Sequence, residues 1–340
     1  MTTTPTRSRA TLTGISSRAW EYPADRGALV ALRKLRGFDT ILKAMNALFN
    51  ERANRLLFLG GLVRVDERQF AGLHRLLGEV GRTLDAAELP EMFVRNYPFT
   101  NAMTIGMDKP IIILNSSLLD LLDEEEMRFL IAHELGHAMS GHAVYRSLLN
   151  RMIRLSGVLY SVPGGALSAR AIVAALYEWQ RKSELSADRA GLLATQDPAV
   201  AFRVHMKLAC GSGDLSELDQ TSFFAQGQEY LDSSDLRDSV LKLLLIEEQA
   251  HPFAVLRAAE LRKWVDSGEY TRILSGTYPR RDEDATASMS DAAKQAADSY
   301  TEAFKTSQDA LGKLVHDAAG LFGSAKLWLD EQLRRNRDTP

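Results

Sequence analysis

Cysteine is almost missing from this chain: Cys210 is the only one in 340 residues. A single thiol cannot close an intrachain disulfide, and it rules out Cys₂His₂ and Cys₄ zinc sites. It also fits a reducing, cytoplasmic compartment. Histidine is scarce, with seven in all. The chain has no clean apolar run of the roughly 20 residues that a membrane span needs. The nearest stretch, 155–177, contains Arg170 and is broken by Pro163-Gly164-Gly165. It reads as two amphipathic or buried helices joined by a turn, with a re-entrant or surface-associated hairpin as the alternative. Residues 1–17 are polar and basic without an apolar segment, so no signal peptide is expected. Neither sign of charge dominates. The net charge is −3 and the pI is near 6.2, which leaves no footprint for nucleic acid.

What is present suits a globular enzyme. Hydrophobic residues make up 45% of the chain, ample for a sizeable core, and the length suggests about two domains. Residues 1–20 read as disordered. Residues 21–90 read as helices that wrap a core, with apolar positions recurring at Leu29, Leu32 and Leu35, at Ile41, Met45 and Leu48, and again over 69–84. Residues 91–115 hold the strand signals: 92–94, 102–105, a Gly106–Pro110 turn, then 111–114. They predict a small antiparallel sheet, with 101–105 as an edge able to pair with an extended peptide. Beyond residue 115 nearly everything is helical, so the fold class is α+β, mostly α-helical. A charged linker is expected over 277–290, followed by amphipathic helices over 291–336. Phe304, Leu311, Val315, Ala318, Phe322, Ala325 and Leu329 form one apolar stripe there, ahead of Arg334, Arg335 and Arg337. That stripe suits a docked helix, a protein partner or a peripheral membrane surface.

The chemistry concentrates at His133-Glu134-Leu135-Gly136-His137. The stretch predicts a helix over 123–145, opened by a capping box of Asp123 and Glu126. Histidines four apart then share one face and can hold one zinc ion between them. Glu134 sits about 100° around that helix, placed to hold a water. A catalytic zinc takes three protein ligands and leaves a fourth position open. His142 is nine residues from His133 and faces the other way. Its expected place is at a helix end or as a hydrogen-bond partner. Ser140 and Ala143 stand where a metzincin needs Gly and His, so that class is excluded. Glu184 and Asp188 lie four apart on a predicted helix, 169–195, stopped by Asp197-Pro198. Alone, such an acidic pair is an ordinary solvated helix face. Beside the histidine pair, Glu184 becomes the third ligand and Asp188 the acceptor for a zinc-bound imidazole. His251-Pro252 predicts another helix, 251–266. His251 could be a plain N-cap or a donor to an oxyanion.

Taken in order and spacing, HELGH, the Gly141-His142 pair, ELSAD at 184–188 and HPFAVLR at 251–257 resemble the HtpX and CAAX prenyl protease-like zinc metallopeptidases. Asn101-Ala102-Met103 and the apolar run at 111–114 add to the likeness, which spans about residues 55–275. The resemblance implies a zincin-like core of gluzincin type over 21–276. It implies one Zn²⁺ per chain held by His133, His137 and Glu184, Glu134 as general base, and a protein or peptide substrate. It also implies His251 as a transition-state donor, with Asp188 and Arg257 as supporting residues. The rival from another class is a metal-holding regulatory or interaction module without turnover. Two features argue against it. Glu134 has no structural task that demands a carboxylate, and a metal used as a staple would close all four positions.

Overall fold

The strand-forming residues make one four-stranded sheet in the computed structural model, which describes residues 8–34, 38, 42, 51–106, 108–154, 165–232 and 253–301. Strands β1 (Val63–Arg64), β2 (Glu91–Arg95), β3 (Ala102–Ile105) and β4 (Ile111–Asn115) lie in the order β1-β2-β4-β3. The sheet is mixed, not antiparallel as the sequence predicted. β1 and β3 run antiparallel to their neighbours, but β2 and β4 pair in parallel, Glu91 opposite Ile111 through Arg95 opposite Asn115. Parallel neighbours cannot be joined by a tight hairpin. β3 therefore carries the chain outward, and β4 returns between β3 and β2. Gly106 makes that return possible. Its φ is +138°, and a Cβ there would meet the Lys109 carbonyl oxygen at 2.5 Å. β4 is buried along its whole length, which accounts for its unbroken Ile-Ile-Ile-Leu run.

The sheet is covered on both faces. Ile112 and Leu114 join the main core, while Phe93, Ile111 and Ile113 pack against Phe58 and Leu62. Phe58 belongs to α2 (Glu51–Gly61), which with α1 (Pro23–Arg33) and α3 (Ala71–Thr83) falls within the predicted wrap. Residues 35–37, 39–41 and 43–50 of that wrap lie outside the described set.

After the short α4 (Ser117–Leu121) comes the central helix, α5 (Glu124–Met139). Its capping box is formed as expected. Asp123 accepts from the Glu126 N–H, and Glu126 accepts from the Asp123 N–H. Glu124, Glu125 and Glu126 also place negative charge at the positive end of the helix dipole. Every residue from Glu126 to His137 is buried. α5 stops at Ser140, before the predicted end, because Gly141 turns left-handed with φ +70°. α6 (His142–Arg154) then sets off anew.

The 31-residue α7 (Gly165–Thr195) lies along α5. Two glycines let the helices approach closely. A Cβ on Gly136 would sit 2.6 Å from the Ala190 Cβ, and one on Gly191 would sit 2.8 Å from the Phe129 ring. α7 ends at Asp197-Pro198 as predicted. Asp197 caps α8 (Pro198–Cys210) by accepting from the Ala199 N–H. α9 (Gln220–Asp232), α10 (Ala254–Asp266) and α11 (Glu269–Leu274) follow. α10 begins at Ala254 with Phe253 at its cap, so Pro252 is not its first residue. His251 and Pro252, like residues 155–164, lie outside the described residues.

Two further expectations are corrected. Residues 8–20 are part of the core rather than disordered: Leu12, Ile15 and Trp20 are at most 2% exposed. Residues 1–7 are not described. Residues 277–290 are not a bare linker, because they pack on that same N-terminal segment. Ile15 bridges Arg280, Ser16 Oγ donates to Asp284, and the Tyr278 hydroxyl donates to the Thr13 carbonyl. The three buried side chains at 12, 15 and 20 are too few and too widely spaced in a polar segment to mark an element by pattern. Residues 291–301 are helical, and Gly27 of α1 packs against Ala296 and Ala297. The apolar stripe from Phe304 onward lies outside the described residues.

Candidate active site

The i,i+4 spacing on α5 sets the His133 and His137 rings edge to face, with centroids 4.8 Å apart. α7 brings Glu184 against both. Glu184 Oε2 is 3.4 Å from His133 Nε2, and Oε1 is 3.3 Å from His137 Nε2. One ligand atom from each of the three lies within 4.8 Å of the others, and all three residues are buried. A tetrahedral zinc site with bonds near 2.05 Å has ligand–ligand edges of roughly 3.3 Å. The spacing and the N,N,O donor set therefore suit Zn²⁺. His137 Nε2 is buried without a hydrogen-bond partner, as expected of an atom meant for a metal.

Each imidazole is held by its other nitrogen. His133 Nδ1 lies 3.0 Å from Asp188 Oδ1. Arg257 grips Asp188 in a fork, its Nη2 at 2.6 Å from Oδ1 and its Nε at 2.8 Å from Oδ2. The third guanidinium nitrogen, Nη1, stands 3.3 Å from Glu184 Oε2, and Arg146 donates to Glu184 Oε1 at 3.1 Å. His137 Nδ1 meets His142 Nδ1 at 2.9 Å. His142 Nε2 in turn faces Asp25 Oδ2 at 3.1 Å, and Ser186 donates to that same oxygen at 2.6 Å. Nε2 of each ligand histidine is thereby directed to the metal position.

Electrostatics follow from burial among these charges. Burial opposes protonation of His133, but its bonds to Asp188 and Glu184 prevail and push it up to about 9. Burial, reinforced by the nearby Arg146 charge, drives His137 well below the ordinary histidine range. Asp188 is buried too, which would raise it, yet the Arg257 guanidinium holds it far below the usual carboxylate range. His205 lies 3.6 Å from Asp188 and is lowered by burial to about 4, so it is a neutral neighbour.

Glu134 Oε1 is 4.0 Å from His133 Nε2, on the metal side. A cavity of about 340 Å³ opens there. It is bordered by His133, Glu134 and Glu184 and walled by apolar side chains including Phe129, Val204 and Phe253. A larger cavity of about 860 Å³ lies behind α5, against Leu135, Ala138 and Met139. None of the clustered ligands lines it, so the smaller cavity is the one that matters for chemistry.

Residues 67–265 match Peptidase family M48, and that stretch is more than half of the chain. The chain belongs to peptidase family M48. It is a metallopeptidase. Over 260 residues it is 34% identical to a plastoglobule-localized metallopeptidase 48 of Arabidopsis thaliana chloroplasts, covering 75% of this chain and 74% of that one. A shorter match, 40% identical over 70 residues, links it to a protease HtpX homolog of Helicobacter pylori, covering 19% of this chain and 22% of the relative. The mitochondrial metalloendopeptidase OMA1 of Arabidopsis thaliana is 30% identical over 131 residues, or 36% and 27% of the two chains. No solved structure matches. No helix among the described residues of this M48 chain is long and apolar enough to cross a membrane.

The structure brings together His133, Glu134, His137, Glu184, Asp188 and Arg257, all singled out from sequence. His251 lies outside the described residues, though Phe253 and Ala254 border the cavity. His142 takes the hydrogen-bonding place expected of it. Sequence reading missed Asp25, Thr104, Arg146 and His205. No motif marks them, and each reaches the site from an element whose packing no spacing rule encodes.

Proposed function

We propose that this M48 metallopeptidase is a zinc-dependent endopeptidase in which Glu134 is the general base. The convergence of His133 Nε2, His137 Nε2 and the Glu184 carboxylate beside Glu134 carries this reading. When bound, zinc polarises a carbonyl and lowers the pKa of a coordinated water toward about 7. His133, His137 and Glu184 would hold it, with Asp188, Arg257, His142 and Arg146 fixing their orientation. Glu134 takes the proton of the attacking water and returns it to the departing amine. His251, assigned by family resemblance, would donate to the oxyanion.

An extended peptide substrate would run beside β3, the last strand of the sheet, where Thr100, Asn101 and Ala102 border the cavity. The Asn115 N–H donates to the Asn101 carbonyl, so residues 101, 103 and 105 face β4. By alternation the backbone groups of Ala102 and Thr104 turn away from β4, and both residues are buried, 4% and 0% exposed. A cytoplasmic location, and a protein or membrane partner for 291–336, belong to the same reading. They rest on the single cysteine and on the apolar stripe.

The test is cleavage of an unstructured protein by zinc-loaded enzyme, with chelator and with Glu134→Gln. Cleavage that chelator stops, and that the fully metallated variant has lost, supports the assignment. Full turnover by zinc-loaded Glu134→Gln overturns it.

A further inference from the structure

Thr104 is fully buried on β3, the edge strand. Its Oγ1 lies 2.6 Å from Glu134 Oε2 and 2.9 Å from the Glu134 carbonyl oxygen. A hydroxyl has one proton to give. The shorter contact, to a charged acceptor, takes it, since hydrogen bonds to ionised oxygens are both shorter and stronger. Glu134 Oε2 is thus engaged, while Oε1 points to the metal side at 4.0 Å from His133 Nε2. A carboxylate turning freely about its last torsion would offer either oxygen. One anchored through Oε2 offers only Oε1.

We infer that Thr104 is a positioning residue for the general base: its hydroxyl holds Glu134 Oε2 so that Oε1 carries the proton between the attacking water and the leaving amine. Thr104 lies inside the stretch that matches the family, but no spacing in the metal motif points to it.

This inference rests on the peptidase reading above, and its test keeps the two apart. Full-length wild type, Glu134→Gln, Thr104→Val and Thr104→Ser are compared after zinc loading. Zinc affinity is measured by chelator competition, and the Co²⁺ absorption spectrum is recorded for each. Thr104→Val keeps the shape of the residue and removes only the donor. It is expected to bind zinc as wild type does, to keep the Co²⁺ spectrum and KM, and to lose kcat by about 10- to 100-fold, a fraction of what general base catalysis contributes. Thr104→Ser restores the donor and is expected to stay within about threefold of wild-type kcat.

Wild-type kcat in Thr104→Val overturns the inference and leaves the peptidase reading intact. So does an equal loss in the Ser and Val variants, which would assign the effect to packing. A loss of kcat that tracks a loss of zinc affinity overturns it as well. If Thr104→Val does not fold, the contrast between Thr104→Ser and Thr104→Ala carries the same comparison. A wild type that cleaves nothing when zinc-loaded removes the peptidase reading, and the Thr104 inference with it.

Discussion

Asp25 Oδ2 stands 3.1 Å from His142 Nε2 and ties α1 to the start of α6. Asp25 lies outside the stretch that matches the M48 family. Its bond fixes the proton of His142 on Nε2, which leaves Nδ1 as the acceptor for His137. His137 then turns Nε2 to the metal position.

His142→Ala is therefore expected to weaken zinc binding by about 10- to 100-fold, the usual cost of removing a partner of a metal-bound histidine. Asp25→Asn is one bond further out and should cost less, roughly 3- to 10-fold. Competition with a chromophoric chelator measures both. Unchanged affinity in His142→Ala would show that the contact does not orient His137.

Glu184→Ala removes the one oxygen donor of the proposed zinc site. The purified variant is expected to carry well under one zinc per chain by elemental analysis. Wild-type stoichiometry would strike Glu184 from the ligand set.

Arg257 neutralises two buried carboxylates, Asp188 and Glu184. Arg257→Leu leaves them without that partner, and breaking a buried pair in this way costs about 3–5 kcal/mol. At about 2–4 °C per kcal/mol, the melting temperature should fall by roughly 6–20 °C. Arg257→Lys should recover little of this, because an ammonium cannot form the two-pronged bond. Differential scanning calorimetry of the chelator-treated protein separates this effect from metal loss. A melting temperature within 2 °C of wild type, to take about 1 kcal/mol as the threshold, would contradict it.

Gly136 sets the distance between the two ligand-bearing helices. Gly136→Val drives a branched side chain into Ala190, since a Cβ on residue 136 would sit only 2.6 Å from the Ala190 Cβ. Overpacking of this kind costs about 1–3 kcal/mol. It should also weaken zinc binding, because Glu184 is carried away from His133 and His137. Thermal unfolding and the zinc titration are read together. Lower stability with unaltered zinc affinity would mean that the spacing of α5 and α7 is not what places Glu184.

Much of the site was legible in the sequence, and for a local reason. His133 with His137, and Glu184 with Asp188, are each spaced by one helical turn, and that spacing survives any packing of the helix that carries it. The capping box at Asp123 and Glu126 and the stop at Asp197-Pro198 are local in the same sense. The sheet was legible as strands but not as a topology. The parallel pairing of β2 with β4 depends on which side of β2 the returning chain takes, and no residue pattern in 91–115 records that choice. The N-terminal segment was misread because Leu12, Ile15 and Trp20 are sparse among polar residues, although all three are buried.

The sequence alone determined the i,i+4 pairs His133 with His137 and Glu184 with Asp188 and the helices that carry them, because each pair follows from spacing within one element. Only the tertiary structure decided how those elements meet. It set α7 against α5 through Gly136 and Gly191, brought Asp25 and Arg146 to the ligands from separate helices, and laid β3 where Thr104 reaches Glu134. Those contacts join residues far apart in the chain. They are chosen by packing of the whole core, which no local pattern specifies.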